Sequence, residues 1–146
     1  MSKWFRCKIE GISKEQAKTY LTENSDGYAY FDFGKIVPVP EHLQFHNGLS
    51  LNDGLEMMKR HIIEFEIFGD CIYISTINAV PIPVFKKLSE VLNTKIKLAY
   101  SCDVYGHDAG RIVFDCGKTV SEFYPENGSN EAVRIFVESW YYGMED

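Results

Sequence analysis

Apolar and polar positions alternate from Trp4 to Ile9, with Phe5, Cys7 and Ile9 on one side and Arg6 and Lys8 on the other. A period of two marks a half-buried strand, because successive side chains leave opposite faces of a pleated ribbon. Ser13 and Gln16 then stand at capping-box spacing, and Ala17, Tyr20 and Leu21 form a short helical stripe. Asn24-Ser25-Asp26-Gly27 stops that helix, and the aromatic-rich run 28–33 suits a second strand. Ile36-Val37-Pro38-Val39-Pro40 is extended, since each proline disfavours the helical region for the residue before it. Residues 41–50 keep no period and read as loop. Ser50 or Asn52 caps a predicted helix carrying Leu55, Met58 and Ile62, with Gly54 in its first turns.

The second half is patterned more sharply. Ile63-Glu64-Phe65-Glu66-Ile67-Phe68 alternates, Gly69-Asp70 is a two-residue turn, and residues 71–77 resume as a strand, which predicts a β-hairpin. Pro81 and Pro83 lead into Val84, Phe85, Leu88, Val91 and Leu92, an amphipathic helix with proline in its first turn. Ile96, Leu98 and Tyr100 alternate with Lys95 and Lys97 as another strand, and residues 103–110 form a turn-rich loop. Segments 111–115 and 119–124 flank Cys116-Gly117-Lys118 as a second hairpin. Asn130 caps a last helix, with Val133, Phe136, Val137 and Trp140 inward and Glu131, Arg134 and Glu138 outward. Interleaved strands, helices and antiparallel hairpins predict an α+β fold, an antiparallel sheet with helices on one face. The expected organisation is one domain over residues 1–146, with a β-α-β block at 1–45 and a second block at 62–146.

Composition fits that reading. The chain has 146 residues, 45% hydrophobic, 25% charged and 14% aromatic, which suits one domain with a single core. Fifteen Lys and Arg against 21 Asp and Glu leave a net charge of −6. An acidic balance argues against direct binding to nucleic acid, whose affinity comes from Lys and Arg displacing counterions. No apolar run approaches the ~20 residues of a membrane-spanning helix. The first residues lack the apolar stretch of a signal peptide. The expectation is a cytoplasmic protein without a membrane partner. Cys7, Cys71, Cys102 and Cys116 contain no C-x-x-C pair and read as reduced structural cysteines, so neither a metal nor a cofactor is expected.

Several segments carry a resemblance. The run 76–89, Thr76-Ile77-Asn78-Ala79-Val80-Pro81-Ile82-Pro83-Val84-Phe85-Lys86-Lys87-Leu88-Ser89, resembles the "T-x-W-x-P-P-x-P-V-x-x-x-L-S" segment of YubB-type proteins. Phe31-Asp32-Phe33-Gly34-Lys35-Ile36-Val37-Pro38-Val39-Pro40 is similar to that family's "F-D-F-N-K-I-I-P-M-P". The strand 95–100 followed by Gly106-His107-Asp108-Ala109-Gly110 looks like its "strand, Y-x-E-x-G, F-x-G" stretch. The family is borne by phages and plasmids, and its C-terminal part is a ferredoxin-like domain. The resemblance therefore implies a ferredoxin-like topology in the C-terminal half and a mobile-element context. It implies no activity for particular residues, and the Trp-rich "W-G-T-K-W" segment of the family is missing here.

Two constellations carry chemistry. Cys102, Asp103, His107 and Asp108 gather thiol, imidazole and carboxylates in one loop, the residue types of nucleophilic or metal-assisted hydrolysis. A turn built from Asp and Gly for backbone reasons is the alternative. His42 and His46 stand four apart, but without the H-E-x-x-H glutamate and beside Pro40 and Asn47-Gly48 they read as surface histidines. The four lysines Lys86, Lys87, Lys95 and Lys97 lack an accompanying RNA-binding motif and read as solvated faces.

The second constellation is the C-terminus. Residues 1–121 carry 14 basic and 15 acidic side chains, whereas residues 122–146 carry six acids and only Arg134. Glu131, Glu138, Trp140, Tyr141, Tyr142, Glu145 and Asp146 there combine carboxylates that steer basic partners with aromatics that anchor interfaces. The expected function is a non-catalytic accessory or anti-defence protein, an inhibitor that binds a host nucleic-acid-handling protein or defence complex. A small hydrolase or metal enzyme using residues 102–108 is one alternative. An immunity protein neutralising a toxin is the other.

Overall fold

The computed structural model describes residues 3–23, 29–31, 45–46, 49–50, 65–77, 80 and 82–141. The strands are β1 (Trp4–Glu10), β2 (Leu21–Glu23), β3 (Ala29–Phe31), β4 (Phe45–His46), β5 (Leu49–Ser50), β6 (Phe65–Phe68), β7 (Cys71–Ile77), β8 (Lys95–Cys102), β9 (Gly110–Asp115) and β10 (Lys118–Phe123). The helices are α1 (Lys14–Lys18), α2 (Ile82–Val91) and α3 (Asn130–Trp140). Six strands form one sheet in the order β10-β9-β8-β1-β7-β6, and every neighbouring pair is antiparallel. The strands β2 and β3 pair separately, as do β4 and β5. The α+β expectation and the antiparallel sheet are therefore what the chain adopts.

Strand parity builds the core. Phe5, Cys7 and Ile9 of β1, Ile72 and Ile74 of β7, Ile96, Leu98 and Tyr100 of β8, and Ile112 and Phe114 of β9 meet Ala17 of α1 and Val84, Phe85 and Leu88 of α2. These side chains are buried, and their removal from water is the main stabilising term. The alternate residues face the other way. Ala99 of β8 packs with Ala109 and with Ala132 and Ile135 of α3. Lys8, next to Cys7 in β1, reaches Glu138 of α3 at 3.7 Å. Thus α3 covers the face opposite α1 and α2, and the expectation of helices on one face is corrected. The reason is that β8 is buried on both sides through Ala99 and Ser101, which leaves apolar surface for a helix on each.

The strand β1 joins the two blocks. It lies between β7 and β8, with Cys7 opposite Ile74 on one side and Tyr100 on the other. The sheet of the block 62–146 therefore includes the first strand of the chain between two of its own. Gly11 ends β1 at φ +107°, where a Cβ would strike the main-chain carbonyl of Lys95.

Local signals mostly mean what they predict. Ser13 Oγ accepts from Gln16 N at 3.1 Å while Gln16 Oε1 accepts from Ser13 N at 2.9 Å, a complete capping box. Both hairpin turns form, and Cys116 and Gly117 both take positive φ, the pattern of a type I′ turn. Helix α2 ends with Asn93 at φ 50°, and Thr94 N and Asn93 N bond Ser89 O and Glu90 O, a Schellman ending. The strand expected over 28–33 is present in its described residues, Ala29–Phe31. Three details differ. Leu21 opens β2 rather than closing the helical stripe, and β4 and β5 stand in the segment read as loop. Ser129, not Asn130, caps α3. The predicted helix carrying Leu55, Met58 and Ile62 lies outside the described residues.

Candidate functional site

The loop after β8 is built by backbone bonds. His107 N donates to Val104 O at 3.0 Å, and His107 O accepts from Cys102 N at 3.3 Å and from Ser101 Oγ at 3.2 Å. Gly106 O accepts from Gly128 N at 2.8 Å, which ties the loop to the entry of α3. These bonds scatter the expected constellation. Cys102 turns into the core, its Sγ accepting from Val104 N at 3.4 Å, and burial pushes its thiol up, away from the nucleophilic thiolate. Asp103 and His107 point to solvent. Asp108 takes Lys3 Nζ at 2.7 Å, and that hydrogen bond holds the Lys3 ammonium above its ordinary range. Among the described residues no three His, Cys, Asp or Glu side chains stand together as a metal site. The loop thus joins β8 to β9 and is tied through Gly106 to the entry of α3.

The C-terminal constellation divides in two. Glu138 lies between Arg111 and Lys8: Arg111 donates through Nε at 3.0 Å and Nη2 at 2.8 Å, both to Oε1, and Lys8 Nζ lies 3.7 Å from Oε2. Its charge is spent inside the fold. Trp140 Nε1 donates to Ser101 O at 3.1 Å, and its ring stacks on Phe136 with centroids 6.2 Å apart. Trp140 thereby fastens the end of α3 to β8. Glu131 and Tyr141 stay exposed, and Tyr142, Glu145 and Asp146 lie outside the described residues.

A residue that the sequence reading passed over completes this end of the molecule. Tyr105, at the tip of the loop, meets Phe136 edge-on at 5.1 Å, and Tyr141 tilts against the same ring at 5.7 Å. Tyr105 is 61% exposed and Tyr141 48%, while Phe136 beneath them is buried. Val104 adds exposed apolar surface beside Tyr105. Two tyrosines are therefore oriented by a buried ring and still face water. The available signal was a valine–tyrosine pair inside a loop of otherwise polar and small residues.

No family model matches the chain, and no curated protein matches it. Among solved structures the chain is similar to the crystal structure of a protein api92 from Yersinia pseudotuberculosis, family-model DUF1281, at 18% identity and a TM-score of 0.40. That likeness covers 67% of this chain and 40% of the other.

Proposed function

We propose that this chain is a non-catalytic protein-binding protein, an accessory or anti-defence inhibitor of the phage- and plasmid-borne kind that docks on a host nucleic-acid-handling protein. The observation that carries the docking is the pair Tyr105 and Tyr141, both exposed and both seated on Phe136. Tyrosines held by a buried ring lose little side-chain entropy on binding, and they bring a large apolar face with a polar tip. Of the two described carboxylates expected to steer a basic partner, Glu131 in the first turn of α3 stays exposed, whereas Glu138 is engaged by Arg111 and Lys8. The mobile-element role rests on the resemblance of residues 31–40 and 76–89 to the YubB-type family. The ferredoxin-like reading goes with it, supported by the succession β1, α1, β6, β7, α2, β8 and the order β8-β1-β7-β6. Among the described residues no helix is long and apolar enough to cross a membrane. A cytoplasmic site of action belongs to the same proposal.

The test is a pull-down from host lysate with the full chain, its Tyr105→Ala/Tyr141→Ala variant and its Glu131→Lys variant. Interface tyrosines of this kind are worth about 2 kcal/mol each, so the double variant loses its partner while its melting temperature holds. The Glu131→Lys chain keeps the partner but releases it at lower salt. Undiminished capture by the double variant refutes the assignment of the surface.

A further inference from the structure

A shallow, open cavity of about 400 Å³ lies between the end of β8 and the start of α2. Its volume lies within the range of small-molecule sites. Phe5, Tyr100 and Tyr124 supply aromatic walls, and Val80 and Ile82 supply an apolar rim.

Tyr100 is the informative residue. It is only 9% exposed, yet it lines the cavity, and its hydroxyl makes no hydrogen bond among the described residues. The fold gives up a side chain to place it. Gly110 stands opposite Tyr100 in the β8–β9 ladder, and a Cβ there would lie 2.5 Å from both Cζ and Oη. Any larger residue displaces the ring. Phe5 then holds that ring edge-on, with centroids 6.4 Å apart. Burial, followed by the neighbouring Tyr124, Cys7, Asp108 and Glu122, pushes the phenol up to about 12, so the hydroxyl keeps its proton and serves as a donor.

The remaining polar groups narrow the ligand. Asp108 is occupied by Lys3, and Tyr124 Oη donates to Glu122 at 3.1 Å, so carboxylates stand near the mouth and disfavour an anion. Asn127 accepts from Asp108 N through Oδ1 at 2.9 Å, which leaves its Nδ2 as a second donor.

We propose that this cavity binds a neutral planar ring bearing a carbonyl-type acceptor, packed against Phe5 and Tyr124, with Tyr100 Oη donating to the acceptor. Such chemistry belongs to a nucleobase and equally to an aromatic residue with its amide. The site goes beyond the docking surface above and stands whether or not that surface binds a protein.

The full chain is titrated with uridine and, separately, with N-acetyltyrosinamide, each followed by amide chemical shifts. Saturable shifts at Val80, Ala109 and Asn127 with either probe are expected, and the probe that produces them identifies the source. Tyr100→Phe removes only the hydroxyl and weakens binding by up to about tenfold, the worth of one neutral hydrogen bond. Tyr124→Ala, an exposed position, weakens binding without touching the core. Absence of shifts with both probes at millimolar concentration overturns the proposal. Equal affinity of the Tyr100→Phe chain overturns it as well.

Discussion

Cys7 shows how far the setting of one residue departs from its type. Its thiol is fully buried between β7 and β8, and burial pushes it from an ordinary 9.0 to about 12. Tyr100 moves in the same direction, from 10.0 to about 12. An acid whose folded pKa exceeds its unfolded value gives stability that is complete below the unfolded pKa. That stability is lost as pH rises toward the folded one. The urea midpoint is therefore expected to be flat up to about pH 9 and to fall steadily above it. Cys7→Ser, which does not ionise there, flattens that alkaline fall, and an unchanged slope in the variant would show the thiol to be irrelevant. The types and periods of these residues were readable in advance, but their partners were not. Lys3 and Asp108 are separated by 105 positions, Trp140 and Ser101 by 39, Arg111 and Glu138 by 27. Glu138 looked like surface, and Trp140 read both as an inward position and as an interface anchor, because nothing in a helical repeat announces a distant arginine or carbonyl.

Elements were read more fully than partners, and α3 marks the limit. Its existence and length follow from periodicity, but its buried stripe is Ala132, Ile135, Phe136 and Ser139, with Val133, Val137 and Trp140 at the flanks. Small side chains face the sheet because Ala99 and Ser101 there allow close approach. Hydrophobicity alone ranks valine above alanine and serine, so the stripe was rotated. The cost appears at Ser139, whose Oγ is buried without a hydrogen bond. The start of the helix offers a direct check. Ser129 Oγ accepts from Ala132 N at 3.2 Å, so Ser129→Ala is expected to cost about 1 kcal/mol in urea unfolding. Asn130→Ala, one residue inside the helix, is expected to stay within about 0.5 kcal/mol. The opposite ranking would place the cap at Asn130.

The whole molecule depends on its first strand. β1 pairs along its length with β7 and β8, so the sheet is split between the two ends of the chain. A fragment spanning residues 62–146 lacks the strand between its own β7 and β8 and is expected to show no dispersed amide spectrum. A peptide of residues 1–20, added in trans, is expected to restore it, since it brings Phe5, Cys7, Ile9 and Ala17 back to the core. A fragment that folds without the peptide would make residues 62–146 a unit of their own.

By itself the sequence determined the strands of the sheet, both hairpins, the capping box and the α+β class, because these depend on near neighbours and on the periods of strand and helix. It also localised the acidity to the last 25 residues. Only the tertiary structure decided that β1 lies at the centre, that α3 takes the second face, and that Glu138 and Trp140 belong to the fold while Tyr105 and Tyr141 share the ring of Phe136. It likewise placed Tyr100 over Gly110 at the mouth of a cavity. Those outcomes come from contacts between residues far apart in the chain, where packing volume and hydrogen-bond satisfaction select among arrangements that local pattern leaves equal.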